Sequence, residues 1–168
     1  MPNASTARDA RRGRVYAAEQ QVARLLDRAA HGATAVEFFG STLTLPVERR
    51  FADVASVQRW VDAVLALDEV RTHWVDVPGC GVRARRGASR AHYEPPGTIA
   101  VPLAGRWAMR ELVLCHELAH HLTFHGSAAA DPGHGRAFVD TYVSLTGIVI
   151  GPEVALLLRA GLDQARAV

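Results

Sequence analysis

Leu112-Val113-Leu114-Cys115-His116-Glu117-Leu118-Ala119-His120 decides how the rest of the chain is read, because an apolar helical stretch and an H-E-x-x-H motif coincide in it. In a helix, residues four apart stand above one another on one face, so His116 and His120 can each direct a ring nitrogen at one Zn²⁺. Glu117 lies one residue round, beside that face. Its carboxylate can reach an attacking water without ligating the metal, which is the general-base geometry of a metal-dependent hydrolase. A shuffled chain of this composition would carry only roughly 0.02 such motifs. Leu112, Val113, Leu114, Leu118, Ala119 and Leu122 make the helix apolar on several sides, which predicts burial. Buried histidines need partners, and a metal is the partner this spacing suits.

A catalytic zinc takes three protein ligands and keeps a position for water. His134 is the candidate for the third. It lies in Asp131-Pro132-Gly133-His134-Gly135-Arg136, where Pro and Gly break the helix and a new apolar-periodic run begins at Ala137. His121 and His125 fall about 140° and 180° from His116 around a continuing helix and are expected to point away from the metal. Thr123 stands where the metzincin pattern has Gly, and His125 is one residue short of that pattern's third histidine. Glu153, Asp131 and Asp140 are lesser carboxylate candidates.

Outward from the motif, the predicted pattern is α+β. Residues 1–12 are polar and expected as a mobile tail, with residues 13–168 forming one domain. Val15, Val22, Leu25, Leu26 and Ala29 predict a helix over 14–30. Residues 35–45 predict a strand or a hairpin about Gly40-Ser41. Asp53 offers an N-cap for a helix through Leu67, with Val54, Val57, Val61, Val64 and Leu65 inward. Trp74–Val77, Val82–Arg86, His92–Glu94 and Thr98–Val101 predict short strands. The motif helix is expected from Trp107 to Phe124, another from Gly135 to Leu145, and a last one opened by Gly151-Pro152, with Pro at the first helical position. The fold expected is a small sheet carrying helices on one side, with the C-terminal helices closing over the metal.

Composition agrees with a globular enzyme: 168 residues, 49% hydrophobic and 21% charged. All basic residues are Arg, and a net charge of +2 does not argue for nucleic acid. Arg83, Arg85, Arg86 and Arg90 form a basic run that reads as a solvated strand face. No apolar stretch follows the charged N-terminus, and no apolar run is long enough for a membrane span, so a cytoplasmic location is expected. Two isolated cysteines make no disulfide framework, and Cys115 reads as a small core residue. His92, Tyr93 and Tyr142 are potential donors to an oxyanion but stay outside the catalytic set, since a buried Tyr more often bonds a backbone partner.

The run Ala91-His92-Tyr93-Glu94-Pro95-Pro96-Gly97-Thr98-Ile99-Ala100-Val101-Pro102, followed by Arg110-Glu111-Leu112, the motif, His134-Gly135-Arg136-Ala137-Phe138 and residues 151–159, resembles a small actinobacterial family of H-E-x-x-H metallohydrolases. The motif and its His-Gly-x-x-Phe segment also resemble the core of SprT-like minimal zincins. The likeness covers about residues 82 to 160 and implies a zincin-like fold and a zinc hydrolase. It also implies that an edge strand just ahead of the motif helix, Thr98–Pro102, holds an extended peptide; Pro102, with no N–H to donate, suits an edge. Cys80 and Cys115 alone cannot build the zinc ribbon that SprT-like proteins commonly add.

Three functions follow as expectations. The first is a zinc-dependent peptidase or amidase in which His116, His120 and His134 hold Zn²⁺ and Glu117 is the base. The second is a deformylase-like hydrolase with Cys80 as a ligand, which lacks the Gln expected before the first ligand His. The third is a metal-stabilised binding module without turnover, which a closed, fully liganded site would favour. Peptide or protein is the expected substrate; neither nucleic acid nor membrane is an expected partner.

Overall fold

The computed structural model describes residues 4–87, 90–126 and 133–167. It is a mixed α+β fold with six α-helices and two small sheets among the described residues. Its contacts group into two compact units, Met1–Glu48 with Asp131–Val168, and Arg49–Ala130. No helix among the described residues is long and apolar enough to cross a membrane.

The first unit is helical. Helix α1 (Ala4–Ala30) buries Val15, Ala18, Val22, Leu26 and Ala29, the spacing of a single helical face. It begins at Ala4, so most of the segment expected as a tail is helical. Ala and Arg, which recur through it, are both strong helix formers. Strands β1 (Ala35–Phe38) and β2 (Ser41–Thr44) form an antiparallel hairpin whose two-residue turn is Phe39-Gly40, one residue earlier than expected. Both turn residues have positive φ, 46° and 80°, as a type I′ turn demands, and glycine takes the second position without steric cost. Helix α5 (Arg136–Val149) buries Phe138, Val139, Tyr142 and Leu145; α6 (Pro152–Gln164) opens with Pro at its start and buries Val154, Leu157, Leu158 and Leu162. The Tyr142 hydroxyl donates to Glu19 Oε2 at 3.0 Å, tying α5 to α1.

The second unit carries the motif. Helix α2 (Val54–Leu65) starts at a reciprocal cap: Ser56 N–H donates to Asp53 Oδ1 at 2.7 Å, and Asp53 N–H donates to Ser56 Oγ at 3.3 Å. Val57, Trp60, Val61 and Val64 are its buried face. The strand expected at Trp74–Val77 is not formed. A short helix α3 (Asp68–His73) precedes a turn there, in which Asp76 has a φ of 58°. Acidic residues in the first turn and basic ones in the last suit the dipole of α3, and six residues are too few to show a periodicity.

Strands β3 (Gly81–Arg85), β4 (His92–Glu94) and β5 (Thr98–Pro102) form one sheet in the order β3-β5-β4, with β3 parallel and β4 antiparallel to β5. The expectation that Thr98–Pro102 is an edge strand is therefore corrected: it is central. Burial of Ile99, Ala100 and Val101 in succession is the pattern of a strand covered on both faces. Pro102 is compatible with this place because pairing with β4 ends at Ala100, leaving the last two residues beside β3 alone. The outer side of β3 is capped by a side chain from α2. Gln58 Oε1 accepts Val82 N–H at 2.7 Å and Gln58 Nε2 donates to Cys80 O at 3.0 Å, taking the part of a fourth strand.

A 3₁₀ turn (Arg106–Ala108) leads into α4 (Glu111–Gly126), so the motif helix starts a turn later than expected. Residues 49–51 run beside its start: Phe51 N–H donates to Met109 O at 3.0 Å, Glu111 N–H donates to Arg49 O at 3.2 Å, and Arg50 bridges Arg110. The buried Glu111 carboxylate accepts Arg49 N–H at 2.7 Å and Trp60 Nε1–H at 3.0 Å. These bonds fix the entry of α4 against α2.

Candidate metal centre

Burial along α4 is nearly continuous from Glu111 to Ala119 and resumes at His121 and Leu122. His116 is 1% exposed and Glu117 4%, whereas His120 is half-buried. The His116 and His120 rings lie with centroids 5.1 Å apart at 64°, side by side on one face as the four-residue spacing requires. Two imidazoles and a carboxylate are thus held together on one rigid element. An imidazole pair at helical spacing is a donor set that zinc accepts, so the residues of α4 fit the metal that the motif implies.

His134 lies in the first unit, between Gly133, whose φ is 86°, and Gly135, the N-cap of α5. Its half-buried ring stands 4.9 Å from the Phe138 ring at 74° and 5.7 Å from that of Tyr16. One turn of α5 thus supports it from Phe138, and α1 supports it from Tyr16.

The other histidines of α4 have structural employment. His121 is fully buried; its Nε2 is 2.9 Å from Pro78 O and its Nδ1 3.2 Å from the Tyr93 hydroxyl. Burial, followed by the nearby His125, outweighs the Pro78 hydrogen bond and holds the His121 imidazole below its usual pKa, favouring the neutral ring. His125 Nε2 lies 2.6 Å from Pro96 O. Asp140 is engaged by Arg159 at 2.8 Å and by Arg136 at 3.6 Å, and Glu153 lies in the first turn of α6. Asp131 lies outside the described residues.

Cys80 is buried, and burial together with the Asp62 charge pushes its thiol up to about 12. Cys115 is fully buried, as expected of a core residue. Of the oxyanion candidates, Tyr142 is spent on Glu19. His92 sits in a polar line in which Arg85 NH1 lies 2.7 Å from its Nδ1 and Glu94 Oε1 2.9 Å from its Nε2. The Tyr93 hydroxyl donates to Pro96 O at 2.8 Å, and burial, reinforced by Cys80, raises its pKa to about 12.

One neighbour of the motif was outside the sequence-derived set. The Tyr93 ring lies near-parallel to that of His120, at 12° with centroids 6.5 Å apart. The signal was the strand period of two: with His92 and Glu94 joined to each other and to arginines, Tyr93 is the residue of β4 that points to the opposite face, towards α4.

Comparison with family models, with curated proteins and with solved structures finds no match for this chain.

Proposed function

We propose that this chain is a zinc-dependent hydrolase of amide bonds, a peptidase or amidase, with a zincin-like arrangement of its motif helix and sheet. The observation that carries the reading is the buried face of α4, where His116 and His120 stand 5.1 Å apart with the buried Glu117 between them in sequence. A buried carboxylate and a buried imidazole beside a half-buried one are groups that a divalent cation would compensate together. His134, which belongs to the first unit, is the third nitrogen that this reading assigns to the metal, on the strength of its place in the sequence after the motif. Three neutral nitrogens leave a zinc ion its net charge and a coordination position to fill, the composition of a catalytic rather than a closed structural site.

When bound, zinc would supply Lewis acidity to a carbonyl and lower the pKa of water towards neutrality. The chain's own residues do the rest. Glu117 takes a proton from the attacking water and delivers it to the leaving nitrogen. Its place on a helix held at its entry by the Glu111 bonds keeps the carboxylate from drifting. Among the described strands, β4 is the outer one beside α4, and an extended peptide would add there as a further strand.

Zinc analysis of the purified chain is the test. One equivalent per chain is expected in the wild type. His134→Ala should weaken zinc by more than roughly 100-fold, beyond the cost of losing a residue that merely supports a ligand. Unchanged affinity in that variant would remove His134 from the site, and a wild type without zinc affinity would overturn the proposal.

A further inference from the structure

We propose that Tyr93 is a positioning residue for His120, holding its imidazole in the orientation that a metal requires; this rests on the reading of His120 as a ligand. The two histidines of the motif are not equally supported. His116 is 1% exposed, whereas His120 is half-buried, so less of its ring is enclosed by the core. A ligand that must be ordered when the metal arrives weakens binding by the entropy of that ordering, and a neighbour that orders it beforehand recovers affinity.

Tyr93 has the properties of such a neighbour. Its backbone is fixed by register in β4, opposite Ile99 of the central strand. Its hydroxyl is held at the far end by Pro96 O at 2.8 Å and His121 Nδ1 at 3.2 Å. The ring between these two anchors meets His121 edge-on at 5.5 Å and Phe124 at 6.2 Å, and lies near-parallel to His120. The separation of 6.5 Å falls within the range of offset aromatic pairs, so His120 faces a plate that cannot turn.

With one N–H on each ring every acceptor in this cluster can be served, the single Tyr93 O–H proton going to one partner at a time. His125 Nε2–H donates to Pro96 O, His121 Nε2–H donates to Pro78 O, and the Tyr93 hydroxyl is then free to serve His121 Nδ1 or Pro96 O. His121 is thus a rivet for Tyr93, and Tyr93 a backing for His120. Sequence neighbours on α4 act on one another through a strand residue 27 positions before His120, so the order of one ligand depends on the turn at Pro95-Pro96-Gly97.

Cobalt titration followed by visible absorption tests this with the metal alone. Tyr93→Leu should bind Co²⁺ about 10-fold more weakly and with altered ligand-field bands, and Tyr93→Phe, which keeps the ring but loses the hydroxyl anchors, should fall between Tyr93→Leu and wild type in both. In the metal-free wild type, NMR should show cross-peaks between the Tyr93 and His120 ring protons, a measurement that stands even if Tyr93→Leu does not fold. Wild-type affinity and spectrum in Tyr93→Leu, or absence of those cross-peaks, would overturn the role of Tyr93 alone. A wild type that takes up no cobalt would overturn the metal site itself.

Discussion

Glu117 is the residue on which the difference between an enzyme and a metal-holding module turns. It is buried between the two histidines of α4 in sequence, where a hydrolase needs its base and a metal-holding module does not. Glu117→Gln preserves size and hydrogen-bonding capacity while removing the base. It is expected to keep zinc affinity and fold but to lower hydrolysis by at least about 100-fold, the usual contribution of general-base catalysis. A peptide-library digest by both proteins makes the comparison. Equal rates would exclude Glu117 from the mechanism, and absence of cleavage by either would favour a binding module. At this scale the sequence was informative because helical spacing is rigid: the four-residue repeat fixed the His116–His120 pair before any coordinates. Tyr93 was less legible because its relation to His120 is made across a strand and a helix, where spacing along the chain carries no distance.

Elements were legible in proportion to the strength of their local signals. The cap at Asp53 is a purely local device, and α2 starts where it says. The Ser56 hydrogen bonds, backbone first, hold the Asp53 carboxyl below the usual aspartate range. Because its folded pKa is depressed, the cap contributes stability that is fully present above about pH 4 and is lost as pH falls through the folded value. Asp53→Ala should therefore have a lower urea midpoint than wild type at neutral pH, and the gap should close on acidification; a constant gap would show that the charge is not what matters. The two misread elements failed for a shared reason. At Trp74–Val77 β-favouring residues stand in a turn after a helix too short to declare itself, and at Thr98–Pro102 the edge place that the resemblance implies, and that Pro102 suits, runs against an unbroken apolar run. The place of a strand within its sheet is a long-range fact, set here by β3 and β4 closing on either side.

For the molecule as a whole, charge decides which partners it can attract. A net charge of +2 gives little long-range attraction to a phosphate backbone, so any affinity would have to come from a local cluster, and Arg83 to Arg90 is the cluster the sequence offers. Two of its members, Arg83 and Arg85, are already engaged in the fold. Arg83 grips Glu94 through Nε at 2.9 Å and through a second bond from NH2, and Arg85 donates to Arg90 O at 2.8 Å beside His92. Glu94 thus neutralises charge where a polyanion would have to approach, and counterion release, which drives such binding, is correspondingly small. No binding of single- or double-stranded oligonucleotides tighter than about 1 µM is expected at physiological salt. A fluorescence-anisotropy titration at two salt concentrations measures it. Sub-micromolar binding that weakens steeply with salt and disappears on substitution of Arg83, Arg85 and Arg86 would mean that the Glu94 pairing opens for a nucleic acid, and would place the substrates of this site among proteins bound to one.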